Sequence, residues 1–153
     1  MSQRSSSKIC SPDDSSFAQL CEELSRRNGT LDDGSGWPAR QLELYAEYGV
    51  FEWFLDPAWG GQGWSDVDIV CGYLKVSAAS LTTSFVITQR TAACVRIAAS
   101  ENDAAKAKLL PDLASGSLFA TVAISHLTTS RRHLETENRV RRQDSVFLFL
   151  RNH

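Results

Sequence analysis

The chain has 153 residues, 42% hydrophobic and 22% charged, with 16 basic side chains against 18 acidic ones. That length suits one domain, which buries roughly 70% of its unfolded surface and needs no metal or disulfide staple. A net charge of −2 gives no global pull toward nucleic acid or an anionic membrane, and no apolar run approaches the ~20 residues that span a bilayer.

Residues 1–12 are serine-rich and read as a disordered N-terminus. They hold no apolar signal core, and the expectation is a cytoplasmic protein. Structure is expected from residue 13. Ser11 can cap a first helix, with Pro12 at its first position and Asp13 and Asp14 favouring the positive helix start. Phe17, Leu20, Cys21 and Leu24 then recur at helical spacing, and Gly29 closes the element. A second helix begins near Trp37-Pro38, aligns Leu42, Tyr45 and Tyr48, and stops at Gly49. After the aromatic loop "FEWFLDPAWGGQGWS", Ser65 and Asp68 have capping-box spacing and open a third helix. Its Val67, Val70, Cys71 and Leu74 form a stripe that Ile69, Tyr73 and Val76 widen, the pattern of a buried helix. "LTTSFVIT" admits strand or helix, whereas Thr88 to Ala99 reads as helix. Ser100 and Asp103 repeat the capping spacing, and Pro111 kinks the last turn of a fifth helix or marks its stop. Phe119 to Ile124 is an apolar run expected of a strand buried on both sides. The body is thus mainly α, with a short β element near the C-terminus.

Four cysteines, Cys10, Cys21, Cys71 and Cys94, lie far apart without a C-x-x-C pair, so neither zinc nor a disulfide framework is expected. Cys21 and Cys71 fall on apolar faces as small core residues. "WGGQGWS" lacks the Walker lysine and completes no G-x-G-x-x-G, which leaves a structural turn. His126, His133 and His153 have no metal-ligand spacing. Trp37, Trp53, Trp59 and Trp64 suggest a loop packed down by aromatics rather than a nucleic-acid stacking platform. The chemistry concentrates after the strand. Ser125, Thr128, Thr129 and Ser130 supply neutral hydrogen-bonding groups, and Arg131 and Arg132 supply charge, a set suited to a phosphorylated ligand or simply to a polar loop.

Two stretches carry a family resemblance. "FLDPAWGGQGWSDVDIVCGYLKVSAASLTTSF" is similar to the "P-E-x-Y-G-G-x-G" turn and buried helix of the acyl-CoA dehydrogenases. "SENDAAKAKLLPDLASGSLFATVAIS" resembles that family's "LP-x-L-A-S-G" stretch and the first strand of its middle β-domain. The resemblance runs from about Phe17 to His133. It implies an up-and-down helical bundle of the family's N-terminal type over 13–116, and the start of the β-domain with its flavin-contacting segment over 117–134. An unmatched basic tail follows over 135–153.

The family uses FAD to oxidise a CH–CH bond of an acyl-CoA thioester. Carried over by position, the resemblance puts Val122, Ile124, Ser125 and Thr129 against the flavin, and Ser130 and Arg131 nearer the acyl-CoA. His126 and Leu127 stand where the family has Glu-Pro, and "TTSRR" replaces its glycine-rich end. The family's catalytic glutamate belongs to its C-terminal domain, so no catalytic residue is expected here, and no metal, nucleic-acid or membrane partner. The expectation is a truncated, inactive N-terminal portion, from a frameshifted or interrupted reading frame. Alternatives are a non-enzymatic helical remnant, a subunit whose site another chain completes, or a flavin-dependent monooxygenase of the same fold. From Arg131 onward the charge balance is +3, against −5 before it. "SVFLFL" in this tail is expected to fray and promote aggregation, or else to pair with Phe119–Ile124.

Overall fold

A computed structural model describes residues 8–30, 36–122, 138–143 and 146–151. Within its first unit, which ends at Val122, there are five α-helices among the described residues and no strand. They are α1 (Ser16–Ser25), α2 (Ala39–Glu47), α3 (Asp66–Ala79), α4 (Leu81–Ala98) and α5 (Asp103–Ser115).

Ordered structure begins earlier than residue 13. Ile9 is fully buried, its N–H donates to the Tyr48 carbonyl at 3.0 Å, and its own carbonyl accepts from Trp53 Nε1. α1 also starts later than Ser11-Pro12 signals. Asp14 is the reason: one carboxylate oxygen accepts from the Ser16 N–H at 2.9 Å and the other from the Cys10 N–H at 3.3 Å. This local bonding holds residues 11–14 in a turn instead of a helical start. The Ser16 N–H is the main cause holding the Asp14 carboxyl below its ordinary range.

α2 follows the sequence closely. Pro38 precedes it, Leu42, Tyr45 and Tyr48 are buried, and Gly49 turns the chain at φ 73°. The aromatic loop is packed as expected at its three tryptophans: Trp53 is fully buried and stacks on Trp64 at 4.3 Å, and Trp59 is half-buried against the cluster of Leu55, Leu110 and Leu113. Trp37 is exposed. "WGGQGW" is a structural turn. Gly60 and Gly63 have positive φ, and a Cβ on Gly61 would lie 1.9 Å from the Leu55 carbonyl oxygen.

Ser65 caps α3 as its spacing predicts, accepting from the Asp68 N–H at 3.2 Å. The buried face is not the expected one. α3 turns Gly72, Val76 and Ala79 inward and leaves Val67, Val70 and Leu74 exposed. The cause is Trp53: a Cβ on Gly72 would lie 2.8 Å from its ring, so only a small-residue face fits over it. Cys71 is half-buried, as is Cys21.

α4 is helical from Leu81 onward and serves two cores. Ile87 joins the first, with Ile9, Phe17, Leu20, Tyr45, Trp53 and Val76. Cys94 joins the second, with Leu55, Leu110, Leu113 and Ala114. Asn102, not Ser100, caps α5, its Oδ1 accepting from the Ala105 N–H at 3.0 Å. Ser100 instead donates to the Ile97 carbonyl at the end of α4. α5 continues through Pro111 and stops at Gly116, φ 81°.

The expected strand is absent where it can be seen: Phe119–Val122 forms none, and residues 123 and 124 lie outside the described residues. In the second unit, β1 (Asn138–Gln143) pairs antiparallel with β2 (Val146–Arg151), placing Val140 opposite Phe149 and Arg141 opposite Leu148. "VFLFL" is therefore a strand paired with β1 rather than a frayed end. A hairpin partner close in sequence costs little loop-closure entropy and satisfies its backbone groups.

Candidate functional site

The approach to the predicted site is built by the end of α5. Gly116 takes a left-handed conformation, and a Cβ there would meet the Phe51 ring at 2.8 Å, so the LASG glycine is dictated by both backbone and packing. Leu118 N–H and Ser117 Oγ then both donate to the Asp112 carbonyl, folding the chain back over the helix end. Phe119 emerges edge-on to Trp37, with ring centroids 5.6 Å apart. Beneath that pair lies a groove of about 250 Å³, lined by Trp37, Leu42, Ala46, Phe51, Gly116 and Phe119, with Glu43 at its side. Arg40 pairs with Glu43 at 2.9 Å. The groove is apolar and smaller than the ~300–1,000 Å³ usual for a small-molecule site.

Of the sequence-predicted contacts, Val122 is half-buried and belongs to no helix or strand. Ile124, Ser125, Thr129, Ser130 and Arg131 lie outside the described residues, as do His126, His133 and His153.

A polar cluster holds the aromatic turn. Lys8 Nζ reaches Glu52 Oε1 at 2.5 Å, Gln62 Nε2 donates to Glu52 Oε2 at 3.3 Å, and Trp64 Nε1 donates to Gln62 Oε1 at 2.8 Å. Each of these polar groups is occupied by the fold, so the cluster reads as structural. Cys94 and Cys21 are poor nucleophiles: burial raises both thiols, which disfavours the reactive thiolate. Burial likewise raises Tyr45 and Tyr73, whose hydroxyls bond Ser84 and Thr91 at 3.2 Å each. No group of His, Cys, Asp and Glu among the described residues could hold a metal ion. No described helix is long and apolar enough to cross a membrane.

Sequence reasoning gave Arg90 no role, yet its environment is the most unusual in the body. It is 1% exposed, and its Nε, Nη1 and Nη2 have no hydrogen-bond partner among the described residues. The signal was its place three residues after Ile87 and four before Cys94, on the inward face of α4.

A family model described as "Acyl-CoA dehydrogenase, N-terminal domain" matches residues 15–117, about two thirds of the chain. A search of curated proteins matches none.

Proposed function

We propose, from the premise that this chain belongs to the acyl-CoA dehydrogenase family, that it supplies the N-terminal helical wall of an FAD-dependent, cytoplasmic oxidoreductase acting on CH–CH groups of acyl-CoA thioesters. The observation that carries this is the family match over residues 15–117, which coincides with the five-helix body. In this reading Val122, Ile124, Ser125 and Thr129 face the flavin, and Ser130 and Arg131 face the acyl-CoA.

The described residues do not by themselves fit FAD. Val122 is the one assigned contact among them, and its side chain carries no donor or acceptor. The neighbouring groove is small and mostly apolar, with Glu43 its one charged side chain. We therefore assign the 153-residue polypeptide on its own no turnover, because hydride transfer requires a dry site that aligns both reactants. A site completed by another polypeptide is the second reading. The exposed stripe Val67, Val70 and Leu74 supports it, since such apolar surface commonly marks an interface.

The test is anaerobic addition of acyl-CoA to the purified chain in the presence of FAD, followed by flavin absorbance. No bleaching is expected. Bleaching of bound flavin would show a working site and overturn the assignment.

A further inference from the structure

Arg90 carries a permanent charge into the interior. Its Cζ lies 3.9 Å from the centre of the Phe51 ring, so one face of the guanidinium rests on an aromatic π-cloud. Stacking satisfies the face of the cation and leaves its N–H donors, which point in the guanidinium plane, without acceptors. A buried lysine could shed its proton in this position; an arginine does not in proteins.

The surroundings offer little relief. Ile87 and Phe51 on one side belong to the first core, and Cys94 on the other belongs to the second. Tyr73 is nearby, but its hydroxyl is engaged with Thr91. The salt bridges among the described residues use Lys8, Arg26, Arg27, Arg40 and Lys106, and none includes Arg90. An unmatched charge at the seam of two apolar cores is a strong penalty, which one planar, bidentate acceptor removes.

We propose that Arg90 forms the floor of a buried carboxylate-binding site at the junction of the two cores. The carboxylate lies in the guanidinium plane and accepts two parallel N–H bonds, while Phe51 fixes the orientation of the fork. Its source is a small free carboxylate, for which formate is the probe. The site is independent of the flavin reading and stands or falls on its own measurement.

The experiment compares unfolding midpoints of the 153-residue chain in sodium formate and in sodium chloride at equal ionic strength. The same comparison is made for Arg90→Met and Arg90→Gln, with folding checked by far-ultraviolet circular dichroism. Formate is expected to raise the wild-type midpoint saturably, by about 3 °C or more, and to leave both variants unmoved. That result assigns a site open to small carboxylates. A wild type indifferent to formate but less stable than Arg90→Met shows a buried charge that no carboxylate reaches, and the proposal fails. If the wild type ignores formate and both variants melt at or below it, Arg90 is already satisfied and the proposal fails.

Discussion

Gly61 and Gly29 look alike in sequence and differ completely in what surrounds them. A Cβ on Gly61 would sit 1.9 Å from the Leu55 carbonyl oxygen, a backbone atom with no room to withdraw. At Gly29 a Cβ meets nothing within 4 Å. Gly61→Ala is expected to cost about 2 kcal/mol or more in urea unfolding, and Gly29→Ala to stay within about 0.5 kcal/mol. Equal effects would mean that the turn does not close on Leu55. The sequence identified "WGGQGWS" as a turn, but which glycine lacks space depends on a carbonyl six residues away. The same holds for Asp14. Its acidity was visible, whereas its bonds to Ser16 and Cys10, which delay α1, were not.

At the scale of the element, the two caps make a paired test. Ser65 is the cap that its S-x-x-D spacing announces, and Ser65→Ala should cost about 1 kcal/mol. Before α5 the spacing names Ser100, yet Asn102 Oδ1 holds the Ala105 N–H. Asn102→Ala should therefore cost about 1 kcal/mol and Ser100→Ala clearly less. The reverse order in equilibrium unfolding would restore Ser100 as the cap. Spacing misled here because Ser and Asn both cap well and stand two residues apart, and Ser100 is taken by the Ile97 carbonyl. The length of α4 was legible only in part. β-branched residues at its start left strand open, and packing of Thr83, Ser84 and Ile87 into the interior settled it as helix.

For the whole molecule, the consequential departure is the exposed apolar surface on α3 and α4. Leu74 is 67% exposed and Phe85 66%. Leu74→Lys and Phe85→Lys should each change the stability of the monomer by no more than about 0.5 kcal/mol while reducing self-association in light scattering. A loss well beyond that would place these side chains inside a packed assembly. The candidate site was legible only as a resemblance. Its polar members lie beyond Val122, and the described residues reach its margin at the Gly116 turn and the Trp37–Phe119 pair.

The helical class, the order of the five helices and the cap at Ser65 were determined by sequence alone, because periodicity and capping hydroxyls act over a few residues; the stop of α5 at Gly116 rather than Pro111 was not. Tertiary structure decided which face of α3 turns inward, since a helix apolar on most sides carries no preference of its own and the Trp53 ring admits only Gly72. It also decided that Arg90 is a buried charge unmatched among the described residues. No local rule reveals that, because burial is a property of everything that packs around a residue.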